Sequence, residues 1–310
     1  MNAAADYTRV KWPQQCNEIT DYRIFSSLCK QGLQGSIETK TETFEKREGN
    51  PEPRHAWTWN MEQGIQSMGL PCVGIYSYPY EKCDSPTIAS FVGKNKEETK
   101  IMTQYLDEKA KKNPNVMALT KNGACPNVPG CPSCYKEDFL EHLKVVRENT
   151  VLPIFAKIGY FPEEERLVQF GKKVEDIGIN GIIAINSPPG MGIDIETGKS
   201  VVKKYGGAFG RGLKPLALRT INILHENTNL DLIGVGGMYD WSDSIEFLRA
   251  GAKAVQFSSA YNSKIAAINR QEDIVGALSS FLIEQKQKLE SHLERKGIKS
   301  VTEIIGKIEK

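Results

Sequence analysis

The stretch Leu230-Asp-Leu-Ile-Gly-Val-Gly-Gly-Met-Tyr-Asp-Trp-Ser-Asp-Ser-Ile-Glu-Phe-Leu-Arg-Ala-Gly-Ala-Lys-Ala-Val-Gln-Phe-Ser-Ser259 holds one complete unit of an alternating pattern. An apolar run, Leu230–Val235, ends in the glycine turn Gly236-Gly237. A helix follows over Asp243–Arg249, entered at Trp241–Asp243, and a second apolar run, Ala254–Ser258, closes the unit. Apolar runs joined by a helix predict parallel strands linked by crossovers. The same alternation extends back to Ser36, with strands expected at Gly35–Thr41, Thr87–Gly93, Val116–Gly123, Leu152–Ile158 and Gly181–Asn186. Helices are expected between them at Glu97–Lys111, Phe139–Arg147, Glu163–Ile177 and Pro215–Glu226. The first puts Ile101, Met102, Tyr105 and Leu106 on one stripe, and the third does so with Leu167, Phe170, Gly171, Val174 and Ile177. Pro215 suits the first turn of its helix, where a missing N–H costs nothing.

Seven strands are one short of a closed eightfold barrel, and the small-residue run Asn2-Ala3-Ala4-Ala5 is the candidate for the eighth. The expected fold is therefore α/β, a (β/α)8 TIM barrel formed by residues 1–310 as a single domain. The stretch from Gly49 to Ser85, rich in Pro, Gly and aromatic residues, is too long for a simple connection and is expected to lie over the C-terminal face. The tail from Ile265 is mostly charged helix, with Glu284–Lys296 a solvated face.

Bulk composition narrows the classes. The chain has 310 residues, 40% hydrophobic and 25% charged, which is ordinary for a protein with a sizeable core. Forty basic against 38 acidic residues, a net charge of +2, gives no reason to expect a nucleic-acid partner. Apolar runs reach about seven residues, well below the roughly 18 of a membrane span, and Met1–Lys11 has no signal-peptide pattern. Seven cysteines, an odd number, favour reduced thiols in a cytoplasmic setting.

In such a barrel the functional groups sit at the C-terminal ends of the strands. Those ends supply Lys40, Ser90, Asn122, Cys125, Lys157, Asn186, Ser187, Gly236, Gly237, Ser258 and Ser259. A single lysine there is more often solvated, and a single Asn more often a turn former; their joint occurrence is what points to a site. Gly236-Gly237 before a helix, with Ser258-Ser259 after the last strand, is a combination suited to a phosphate. It is not the dinucleotide fingerprint.

Cys125 lies in a proline-stiffened loop, Gly123-Ala-Cys-Pro-Asn-Val-Pro-Gly-Cys-Pro132. A thiol with a pKa near 8.5 is a plausible base for a weakly acidic carbon proton, although on this residue alone a buried inert cysteine is commoner. Cys131-Pro-Ser-Cys134 is a lone CxxC, and no further ligands stand at metal-site spacing, so no metal is expected. His55, His142, His225 and His292 are scattered, the last three on helices. Trp57 and Trp59 either cover a ligand or form a local cluster.

At these residues the sequence resembles the dihydroorotate dehydrogenase family, most closely its soluble class that uses cysteine as base. The matching blocks are Glu38-Thr39-Lys40-Thr41, Lys46–Arg54, Ser67-Met68-Gly69-Leu70-Pro71, Asn122–Gly130, Lys157, Ile185-Asn186-Ser187, Gly210–Pro215 and Gly234–Gly237. The resemblance implies an FMN enzyme that oxidises dihydroorotate to orotate in pyrimidine synthesis, with fumarate as oxidant, as a cytoplasmic homodimer. It implies Cys125 as base, with Lys157 and Lys40 beside the flavin. Substrate would be held by Lys40, Gln66, Met68, Gly69, Leu70, Asn122, Asn127, Asn186 and Ser187. FMN would be held by Ala4, Ala5, Lys40, Thr41, Ser90, Asn122, Lys157, Asn186, Gly210, Gly236, Gly237, Ser258 and Ser259.

The chain also departs from the pattern. Gln66 replaces Asn, Cys131–Tyr135 replaces the usual loop, Gly159 replaces Pro, Phe209 replaces a small residue, and Ala4-Ala5 replaces a Ser/Ala-Gly pair. A pocket that pairs every polar group of one substrate rejects analogues strongly. Two alternatives therefore stand: a related flavoenzyme acting on a different cyclic imide or enone, and an FMN-binding protein without turnover.

Overall fold

The computed structural model describes residues 18–57, 62–124, 133–203, 205–266 and 274–309. In chain order the elements are α1 (Glu18–Lys30), β1 (Ile37–Glu38), β2 (His55–Trp57), β3 (Gln63–Gln66), β4 (Thr87–Phe91), α2 (Lys96–Lys112), β5 (Val116–Asn122), α3 (Glu137–Glu148), β6 (Ile154–Ile158) and α4 (Glu164–Asp176). They continue with β7 (Gly181–Ala184), β8 (Pro189–Gly190), β9 (Gly206–Gly210), α5 (Lys214–Asn227), β10 (Asp231–Val235), α6 (Trp241–Ala250), β11 (Ala254–Gln256), α7 (Ser259–Ala266) and α8 (Ile274–Arg295).

Seven strands form one sheet in the order β1-β4-β5-β6-β7-β10-β11, every neighbouring pair parallel. Five of its strand-to-strand steps are bridged by α2 to α6, as a TIM barrel requires. The candidate eighth strand, Asn2–Ala5, lies outside the described residues. Alternation decides which side chain faces where. Ile154, Ala156, Ile158, Ile182, Ala184 and Leu232 join the large core under the helices, while Phe155, Ile183, Ile233 and Val235 form a separate cluster on the other face.

The seven expected strands from Gly35 onward and the five expected crossover helices are present, with shifted ends. The Gly35–Thr41 expectation contracts to Ile37–Glu38, although Thr39 N still donates to Ile88 O at 2.9 Å. Ala254–Ser258 ends at Gln256 because Ser259 already opens α7. The Asp243–Arg249 helix starts earlier, at Trp241. Its N-cap Asp240 accepts from Ser242 N and Asp243 N, closing a capping box, and Gly251 at φ 113° ends it.

Two features were not anticipated. Helix α1 packs Ile24 and Leu28 against Tyr261, Leu278 and Phe281 of α7 and α8. A second, antiparallel sheet, β2-β3-β9-β8, pairs the Gly49–Ser85 insertion with the segment around Gly206.

His142, on α3, is buried, and its Nδ1 lies 2.6 Å from Thr99 Oγ1 of α2. Burial first, then Lys121 and Lys96, pulls its pKa from 6.5 to about 4. The unfolded chain takes up this proton at the higher pH, so the His142 contribution is complete above pH 6.5 and is lost as pH falls toward 4. The thermal midpoint is expected to fall more steeply between pH 7 and 4.5 in the wild type than in His142→Gln. Parallel curves would show that His142 does not set this dependence.

Candidate functional site

A cavity of about 770 Å³ opens at the C-terminal ends of the parallel strands, within the range of small-molecule and cofactor sites. Lys40 and Thr41 follow β1, Asn122 ends β5, and Lys157 lies on β6. Asn186 and Ser187 follow β7, Gly236 and Gly237 follow β10, and Ser258 and Ser259 follow β11. All of them line this cavity. Gln66, Met68, Gly69 and Leu70 line it from the insertion.

A hydrogen-bonded chain crosses the strand ends. Ser90 and Thr41 share a hydrogen bond of 2.9 Å between hydroxyls, Asn122 Nδ2 donates to Thr41 Oγ1 at 3.0 Å, and Asn186 Nδ2 donates to Asn122 Oδ1 at 3.4 Å. Asn122 Oδ1 also accepts from Ala124 N, fixing that amide's orientation. Ser90 is thus buried one layer behind Thr41 and does not line the cavity. Gly210 does not line it either. At φ 106° it pairs with Gln63, and a Cβ there would lie 2.2 Å from Glu62 O, so its need for glycine comes from the close β3–β9 approach. Ala4, Ala5, Cys125 and Asn127 lie outside the described residues.

The glycine turn is shaped for close approach. Gly237 has φ 75°, and a Cβ on it would sit 2.4 Å from Lys214 N. Asp243 holds the turn from below: its Oδ2 accepts from Tyr239 N at 2.7 Å, while Lys214 Nζ reaches its Oδ1 at 2.7 Å. Tyr239 donates its hydroxyl to Glu62 O, and burial pushes its pKa up to about 12, so it stays protonated. Ser259 is the first residue of α7, so the start of a helix lines the same cavity as the glycines, an arrangement suited to an anion.

The insertion carries a strained turn. Gly69 at φ 71° and Leu70 at φ 53° are successive left-handed residues at the cavity wall; for Leu70 this costs of order 1–3 kcal/mol. Asn50 N donates to Met68 O, and Asn50 Nδ2 donates to Ser67 O, holding the turn in place. Gln66 folds back, its Oε1 accepting from Met68 N at 3.0 Å.

Three cavity residues escaped sequence reasoning. Glu38 forms an ion pair with Lys157, Nζ to Oε2 2.8 Å. His55 pairs with Gln66 across β2–β3, and burial pulls its pKa down to about 4, so it is neutral at pH 7. Phe209, seen in the sequence only as a departure, lies 5.0 Å from the His55 ring and 4.5 Å from Trp57, between centroids. Trp57 is buried in this local cluster, and Trp59 lies outside the described residues. A pattern search had no means of finding Glu38 or His55, since their partners are remote in sequence.

The departures at residues 131–135 and at Gly159 are linked: a Cβ at Gly159 would meet Tyr135 Oη at 2.1 Å, so the tyrosine occupies the space a larger residue needs. Cys134 is buried, its pKa raised to about 12 by desolvation, which makes it an inert thiol. Among the described residues no cluster of His, Cys, Asp or Glu is arranged to hold a metal, and no helix is long and apolar enough to cross a membrane.

A family model described as dihydroorotate dehydrogenase matches residues 21–280. Relatives named dihydroorotate dehydrogenase B (NAD(+)), catalytic subunit, include that of Caldicellulosiruptor bescii, 32% identical over 92% of this chain and 91% of its own length. The one from Pyrococcus abyssi is 31% identical over 88% and 86%. Among solved structures, the Eimeria tenella DHODH in complex with ferulenol matches 90% of this chain and 80% of its own at a TM-score of 0.66 and 19% identity, a likeness of fold.

Proposed function

The chain belongs to the dihydroorotate dehydrogenase family, and from that premise we propose that it oxidises dihydroorotate to orotate in pyrimidine biosynthesis, residues 1–310 acting as one FMN-binding barrel domain. The observation that carries this reading is the meeting, in one cavity, of two lysines, two carboxamides and a glycine–serine cradle from the ends of six parallel strands.

The residues fit FMN. The cradle at Gly237 leaves no room for a Cβ, and Glu38 Oε1 is a buried acceptor with no partner among the described residues. Gly236, Gly237, Ser258 and Ser259 would hold the phosphate, and Lys40, Thr41, Asn122, Lys157 and Asn186 the remainder, with Ala4 and Ala5 added by the resemblance; Ser90 would act only through its hydrogen bond to Thr41, and Gly210 only through the β3–β9 approach. FMN, when bound, supplies the hydride acceptor that no side chain provides. Asn122, Asn127, Asn186 and Ser187 offer the alternating donors and acceptors that a cyclic imide needs. Gln66, the Met68–Leu70 turn and Lys40 line the same pocket, where Lys40 would serve both ligands. Cys125 takes the proton from the ring carbon next to the one that loses hydride. Lys157 would supply a positive charge that favours the reduced form of bound FMN.

The resemblance implied fumarate, but the relatives are named for NAD(+) and as catalytic subunits, which favours NAD(+) reached with a second subunit. A cytoplasmic homodimer remains the expected setting, its oligomeric state to be measured by light scattering.

Anaerobic mixing of FMN-loaded protein with dihydroorotate is expected to bleach the flavin absorbance within the dead time of manual mixing. No bleaching at saturating substrate sinks the assignment, and bleaching by another cyclic imide alone moves it to that substrate. Reoxidation of the bleached protein by fumarate, without any partner, would restore the fumarate reading.

A further inference from the structure

Glu38 and Lys157 stand 119 residues apart in sequence and reach each other across the barrel mouth, with β4 and β5 between their strands. Lysine is a compact point charge on a flexible stem, and its position is set by whatever its three donors meet. One is taken by Glu38 Oε2 at 2.8 Å; the side chains are 20% and 11% exposed, so the pair is largely withdrawn from solvent. Screening of such a pair by water is weak. Both residues line the cavity, as does Lys40, two residues beyond Glu38. The second carboxylate oxygen, Oε1, is buried with no hydrogen-bond partner among the described residues, a state native proteins rarely leave unsatisfied.

We propose that Glu38 is a positioning residue that fixes Lys157 at the flavin ring and offsets its positive charge, holding the reduction potential of the bound flavin below the value that lysine alone would set. The inference rests on the FMN reading above. Its sign follows from charge: a carboxylate beside the group that gains electrons disfavours the electron-rich state, and an amide of the same shape does not.

The test is the potential of FMN-loaded protein, measured anaerobically against a reference dye, for the wild type, Glu38→Gln and Glu38→Asp. Glu38→Gln is expected to shift the equilibrium about tenfold toward the reduced form, about 30 mV for a two-electron couple. Glu38→Asp, which keeps the charge, should stay within threefold of the wild type. A Glu38→Gln potential equal to that of the wild type overturns the inference, as does an equal shift in Glu38→Asp. If Glu38→Gln loses FMN while Glu38→Asp keeps it at the wild-type potential, the need for the charge stands. If both variants lose it, Glu38 is a binding residue and the inference falls. Wild-type protein that takes up no FMN removes the functional reading and this inference together.

Discussion

Replacing Cys125 by serine is expected to slow flavin reduction by dihydroorotate roughly 10²–10⁴-fold at neutral pH, the usual contribution of a positioned general base. The thiol matters for its acidity. With an ordinary pKa near 8.5, a cysteine can take a carbon-bound proton within reach of physiological pH, whereas an alcohol is far less ready to act from its ionised form. The loop that carries Cys125 leaves β5 at Asn122, and both flanks of it are fixed. Asn122 Oδ1 accepts from Ala124 N, and Cys134 N donates to Gly123 O at 2.6 Å. Gly123 itself packs so tightly on Phe139 that a Cβ would lie 2.4 Å from the ring. Stopped-flow absorbance at a series of pH values checks the assignment. The wild-type rate should rise with pH and level off in the thiol range, and the serine variant should keep rising. Equal rates for the two proteins at pH 7 would remove Cys125 from the chemistry, and equal FMN content in both would show that binding is not what changed.

How much of this was legible in the sequence depends on how local the cause is. Parallel strands such as β5 and β10 are short apolar runs followed by glycine, a signal contained in the strand itself. The cavity lysines and carboxamides could be named because a strand end is also a local feature. The antiparallel sheet was not legible. One of its two central strands, Gly206-Gly207-Ala208-Phe209-Gly210, has no apolar alternation, and it is a strand because Gln63–Gln66, more than 140 residues earlier, lies against it. Glycine is needed there because Cβ atoms at Gly206 and Gly210 would strike the partner backbone at 2.3 and 2.2 Å. Helix α1 did leave a trace, Ile24 and Leu28 at helical spacing, but one such pair is weak. Glu38 illustrates the other limit. It sits in a two-residue strand inside a motif noticed for Lys40, and its meaning comes wholly from Lys157 on the far side of the barrel mouth.

Gly237→Val is expected to lower FMN affinity by about a hundredfold or more. At φ 75° a non-glycine residue is strained, by about 1–2 kcal/mol for L-amino acids, and a β-branched one tolerates this region least. The added Cβ would also lie 2.4 Å from Lys214 N and 2.9 Å from Arg211 O, which are backbone atoms and cannot swing aside. Those atoms are anchored in the backbone itself: Lys214 N donates to Arg211 O, and Arg211 N donates to Glu62 O at 2.9 Å. The glycine turn must therefore move, and overpacking of this kind costs about 1–3 kcal/mol. The two terms together are about 3 kcal/mol, equivalent to about a hundredfold in affinity. Gly236→Ala is the control: at φ 116° it carries backbone strain, but its Cβ meets nothing closer than 3.6 Å, so the turn keeps its shape and a smaller loss is expected. Fluorescence quenching of FMN titrated with apoprotein, alongside the thermal midpoint of each variant, separates loss of the cradle from loss of the fold. A folded Gly237→Val protein that binds FMN within threefold of the wild type would mean that the phosphate does not sit at this turn.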